Sequence, residues 1–204
     1  MNGRTMLYRM SAAALLTALV FLLGMTPLGL IPLGFINITV LCIPVIIGTV
    51  ILGLRSGLLL GFIFGTVSTL SMIGLSMTPP SALASALFST SPVLAILMCY
   101  IPRLAVPAAA YVIYKLLEKV RCSNAAAISV AAFAASLVNT VLYLGLMLLF
   151  YTMSGLDAQK ILNLIAGTGL IAGSCEAVAA ALITLPVVKA IYKTPVSKYF
   201  GGTL

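Results

Sequence analysis

Residues 92–117 read PVLAILMCYIPRLAVPAAAYVIYKLL. About 20 apolar residues suffice to cross a bilayer as a helix, and this run exceeds that with Arg103 near its middle. The rest of the chain repeats the theme: it is 62% hydrophobic and 7% charged, with a mean hydropathy of +1.24. No soluble domain hides that much apolar surface, so the solvent of this protein is lipid. A charged or amide side chain inside such a run is costly and faces the bundle interior, a partner or a ligand. Three residues stand out in this way: Arg103, Asn139 and Glu176.

Working outward from 92–117, five further stretches qualify or nearly qualify as spans. The six are expected at 5–23, 38–54, 57–73, 92–117, 124–152 and 161–191. Only Arg55 and Ser56 separate the second from the third, which makes a tight antiparallel pair. The first follows Arg4 and Arg9 in the manner of a secretory leader, but Met25-Thr26-Pro27 is a poor cleavage site, so it reads as an uncleaved membrane helix. The 204 residues form one membrane domain, 1–204.

The net charge of +8 reads as a topology signal and not as a nucleic-acid footprint. With six helices, nine of the eleven basic residues fall on one side: Arg4, Arg9, Arg55, Lys115, Lys119, Arg121, Lys189, Lys193 and Lys198. The positive-inside rule then puts both termini in the cytoplasm. The fold class expected is an all-α integral membrane protein of six transmembrane helices. The Pro/Gly/hydroxyl-rich segments 24–37, 74–91 and 153–160 face outward, where they cover a site opening to that side.

Several chemistries are excluded. There is no histidine, which removes His-ligated metals and His-based catalysis. No cofactor and no metal is called for. A GxxxxGK[ST] loop is absent, so the chain does not hydrolyse ATP by a P-loop mechanism. Neither HExxH, GxSxG nor paired carboxylates occur, and the chain is not expected to be an enzyme. Cys42, Cys99 and Cys175 lie in apolar runs and Cys122 beside basic residues, so a disulfide framework is not expected.

The polar residues in apolar surroundings are the candidate site. Arg103 follows Pro102 and precedes Pro107, and each proline frees a backbone carbonyl and bends the helix. A guanidinium offers a planar fork of donors suited to a carboxylate. Arg103 is thus a clamp for an anionic ligand or half of an internal ion pair with Glu176, and the residues alone leave both open. Asn139 and Tyr143, four apart with Ser136 on the same side, form a polar stripe for interhelical hydrogen bonds or for a polar ligand. Asn163 and Asn37 add amides from the outer side. Glu176 follows Gly167, Gly169 and Gly173, which permit close backbone approach. Two small-residue faces complete the set. Ala14 and Ala18 on the first helix are either internal packing or a docking face for another membrane protein. Gly57, Gly61 and Gly65 on the third are read as packing against the second helix.

In order along the chain, these features resemble a known family. They are a small-residue first helix, Thr26-Pro27-Leu28-Gly29-Leu30-Ile31-Pro32-Leu33, Ile43-Pro44-Val45-Ile46-Ile47-Gly48, Leu52-Gly53-Leu54-Arg55-Ser56-Gly57, Ser91-Pro92, Pro102-Arg103, Val138-Asn139-Thr140 and Cys175-Glu176-Ala177. Together they resemble the S components of energy-coupling factor (ECF) transporters, which capture vitamins, and most of all the pantothenate-type members. The resemblance runs from about Met10 to about Ile191. It implies a six-helix bundle with a cavity near the outer face, closed by the outer loops. It also implies docking of the first helix, at Ala14 and Ala18, on a transmembrane coupling (T) protein driven by two cytoplasmic ATPases. On this reading Arg103 holds the pantothenate carboxylate, and Asn139, Tyr143 and Asn163 its polar groups. The alternatives are riboflavin or another vitamin precursor in the same family, a small integral-membrane enzyme, and a ligand-free structural membrane protein.

Overall fold

The computed structural model describes residues 3–32, 37–194 and 200, with the side chains of 30–32, 37, 38, 168 and 170 outside that description. In chain order the elements are α1 (Gly3–Met25), β1 (Leu30–Pro32), β2 (Asn37–Thr39), α2 (Cys42–Leu52), α3 (Leu54–Met72) and α4 (Ala82–Thr90). There follow α5 (Pro92–Lys119), α6 (Asn124–Met153), α7 (Ala158–Leu164), a π-helical turn (Ile165–Gly169) and α8 (Leu170–Lys193).

Among the described residues, α1, α3, α5, α6 and Ile171–Lys193 of α8 are long and apolar enough to cross a membrane. The expected second span, 38–54, departs from expectation. Its helix is only 11 residues long, about 16 Å at 1.5 Å per residue, against a hydrocarbon core of about 30 Å. The reason lies at both ends. Asn37–Thr39 pairs antiparallel with Leu30–Pro32, Leu30 opposite Thr39, which takes those residues out of the helix. At the other end Gly53 adopts φ 91°, a conformation that suits glycine and stops the helix. Arg9 caps the same end by donating to the Leu52 carbonyl at 2.6 Å, where the helix dipole favours a cation. Nearly every α2 residue is buried, as a helix apolar on all faces must be.

Two other expectations are corrected. Segment 74–91 is not all loop, because Ala82–Thr90 folds into α4. The last span begins earlier than 161, with α7 at Ala158, and its helical phase is interrupted by the π turn before α8.

The bundle is organised around α6, on which α5 and α8 both pack, while α3 lies on α5 and α1 on α3 and α2. One apolar cluster joins Val20, Val45, Ile46, Leu60, Phe64 and Val106. A second lies under α4 and gathers Leu83, Leu87, Met98, Met147 and Ile161. The Tyr151 hydroxyl donates to the Leu83 carbonyl at 2.7 Å and so pins α4 to α6.

The glycine face of α3 packs chiefly against α5, and not against α2 as the sequence suggests. Gly57 does touch Thr49 of α2, but Gly61 and Gly65 face α5. The cause is Pro107. It lacks the N–H that would bond the Arg103 carbonyl, and Gly61 closes on that freed oxygen: a Cβ at Gly61 would lie 2.7 Å from it. Gly61→Val is therefore expected to destabilise the protein by about 1–3 kcal/mol, the usual cost of overpacking. A lowered melting temperature of the detergent-solubilised protein is the readout, and an unchanged one contradicts the close approach.

Candidate functional site

Arg103 is placed by its prolines. Pro102 removes the N–H that would bond the Met98 carbonyl one turn earlier, and the Arg103 Nη1 supplies the missing donor at 3.1 Å. The guanidinium then packs against aromatic rings, 4.5 Å from the Tyr143 centroid and 5.4 Å from that of Phe64. These cation–π contacts hold the fork in place. Its Nε has no hydrogen-bond partner, and the side chain is only 8% exposed.

The internal ion pair with Glu176 does not form. The ion pair among the described residues is Lys115 with Glu118, 2.6 Å, on an exposed helix end. Glu176 instead turns to the connection between α1 and α2. Its Oε1 accepts the Thr39 N–H at 2.6 Å and its Oε2 the Thr140 hydroxyl at 3.2 Å. Gly173 makes this possible, because a Cβ there would meet the Thr140 side chain at 2.5 Å; its absence lets α8 settle onto α6.

Arg103, Asn139, Tyr143 and Glu176 all line one cavity of about 70 Å³, roofed by Thr39 and by Ser81 and Ala84 at the start of α4. That is well below the roughly 300 Å³ at which small-molecule pockets begin. Within it, Asn139 Oδ1 and Ser68 Oγ are buried with no hydrogen-bond partner, like Arg103 Nε. Asn139 is 3% exposed and Ser68 8%. Buried polar groups are nearly always paired, and an unpaired buried charge is costlier still. Three residues that line one cavity thus each carry a buried polar atom without a partner: a guanidinium N–H, an amide oxygen and a hydroxyl.

Two expected site residues are not in this cavity. Asn163 is exposed and accepts from Gln159 at 3.3 Å. It lines a separate groove of about 650 Å³ with Asp157, Lys160 and Tyr151, because the π turn lies between it and the start of α8. Asn37 stands opposite Pro32 in the hairpin, and its side chain lies outside the described residues. Sequence reasoning missed Ser68, Ser71, Thr39 and Thr140. The first two lie one turn apart on α3, and that spacing was the available signal. Ala14 and Ala18 are both exposed on α1, whose buried residues are Val20 and Gly24.

Helices long and apolar enough to cross a membrane thus enclose a polar cavity. The model of the family described as ECF transporter, substrate-specific component, matches residues 8–197. The chain belongs to that family and is a multi-pass membrane protein. Its fold is similar to that in a crystal structure, at 2.1 Å, of the S-component for biotin from an ECF-type ABC transporter. The match has a TM-score of 0.61 and 17% identity, and it covers 98% of this chain and 99% of the other. No curated protein sequence matches the chain.

Proposed function

We propose that this chain captures a small vitamin carboxylate, pantothenate, at the outer face of a bacterial cell membrane and delivers it to a coupling (T) protein powered by two cytoplasmic ATPases. The observation that carries the proposal is the buried, ion-pair-free Arg103 with its Nε unpartnered. A carboxylate supplies the countercharge and the acceptor together. Asn139 Oδ1 calls for a donor on the same ligand, and Ser68 takes either role. Pantothenate carries a carboxylate at one end, hydroxyls at the other and an amide between, which suits that order of groups. The chain acts as a transport subunit and not as an enzyme. It traverses the membrane six times, α2 completing its passage with the hairpin residues before it. Both termini are cytoplasmic, because the basic residues cluster at that end.

Loading requires the cavity, about 70 Å³ as it stands, to widen. The hairpin is a ladder of three residue pairs, tied to α8 by the Thr39 N–H on Glu176. Isothermal titration calorimetry of the purified protein tests the proposal, since the absence of tryptophan rules out intrinsic tryptophan quenching. Submicromolar pantothenate binding is the expected result. Tight binding of riboflavin with none of pantothenate would keep the family and remove the substrate.

A further inference from the structure

The cavity is polarised. Arg103 lies on α5 and Glu176 on α8, with α6 packed between those helices, and the two charges form no ion pair. Oε1 of Glu176 accepts the Thr39 N–H at 2.6 Å, and Oε2 lies 3.2 Å from the Thr140 hydroxyl, whose one proton is shared with the Ser136 carbonyl at 3.3 Å. Each oxygen still has acceptor capacity, and the side chain lines the same cavity as Arg103. A ligand held by Arg103 therefore shares this cavity with the Glu176 carboxyl.

We propose that Glu176 is the residue that selects ligands by charge: it accepts a hydroxyl or amide N–H from the far end of a monoanionic ligand and rejects ligands with a second anionic group there. The phosphate ester of a vitamin carboxylate is the natural excluded class. The proposal rests on the reading of Arg103 as the anion site. Like charges about 5 Å apart at an effective dielectric of about 20 lower affinity roughly a hundredfold. The short bond to Thr39 gives the same side chain a second task, holding the base of the hairpin over the cavity.

Calorimetry with three probes tests this: pantothenate, pantothenate phosphorylated on its primary hydroxyl, and pantothenol, in which a neutral alcohol replaces the carboxylate. Wild type is expected to prefer pantothenate to its phosphate ester by about a hundredfold. Glu176→Gln keeps the shape and an acceptor for Thr39, and is expected to cut that preference at least tenfold. Glu176→Asp keeps the charge, weakens the Thr39 bond, and is expected to lose affinity while keeping the preference. A preference that Glu176→Gln leaves intact, or that Glu176→Asp loses equally, overturns the charge filter while pantothenate binding stands. Equal binding of pantothenol and pantothenate instead overturns Arg103 as the anion site. Wild type that binds neither anionic probe overturns both the ligand and the filter built on it.

Discussion

Arg103→Ala is expected to abolish measurable capture of pantothenate, lowering affinity by about two to three decades. Removing one partner of a buried, hydrogen-bonded charge pair costs about 2–5 kcal/mol, and each 1.4 kcal/mol is tenfold in affinity. Here the remaining partner is the ligand carboxylate, left in the cavity without a cation. Arg103→Lys should fall between. It keeps the charge but loses the planar fork and the geometry that reaches the Met98 carbonyl. The ligand-free protein should behave differently. Its guanidinium is buried without an anion, so truncation removes a destabilising charge at the expense of one hydrogen bond to Met98 and the contacts to Tyr143 and Phe64. These terms oppose one another, and the ligand-free melting temperature should stay within a few degrees of wild type. A thiol-reactive fluorophore reads it, because Cys42 and Cys99 are buried and free. Undiminished affinity in Arg103→Ala would remove the anion site. A large fall in ligand-free stability would make Arg103 a structural residue instead.

The long spans were legible because hydropathy reports lipid contact directly. The ends of α5 and α6 fall within a few residues of the expected 92–117 and 124–152. Arg103, Asn139, Tyr143 and Glu176 were legible for the complementary reason that a polar group in hydrocarbon is expensive. What failed was information carried by phase and partner. A single π turn shifts the register between α7 and α8, and Asn163 leaves the cavity with it. Ser68 was missed because a hydroxyl in a helix usually bonds its own backbone, as Thr66 does to Phe62 and Thr69 to Gly65. Only its one-turn spacing from Ser71 sets Ser68 apart from those hydroxyls. Opposite charge left an Arg103–Glu176 pair open beside the ligand clamp; it does not form, because α5 and α8 both pack on α6 and the Thr39 N–H claims Glu176 first. Segment 74–91 read as loop because its prolines and glycine obscured Ala82–Thr90, whose alanines and leucines favour helix.

Ala14→Trp is expected to reduce vitamin uptake in cells to background while leaving capture by the purified protein unchanged. α1 is the helix with least reason to look as it does if it served only its own bundle. It turns Val20 and Gly24 inward, Gly24 against Val67 and Leu41, and leaves Ala14 and Ala18 exposed one turn apart. In lipid, helices associate through close backbone approach, which small residues four apart permit. An indole at that spacing holds a partner helix away along the whole contact. The substituted position lies outside the cavity lining, so the ligand site has no cause to respond. Ala18→Trp should give the same split between uptake and binding, and Ala14→Gly, which keeps the approach open, should leave uptake near wild type. Calorimetry on purified variants, set against uptake of labelled pantothenate in cells that express the coupling module, separates the two functions. Retained uptake in both tryptophan variants would show that the coupling protein docks elsewhere. Loss of binding together with uptake would place this face of α1 in the folding of the bundle and not in its partnership.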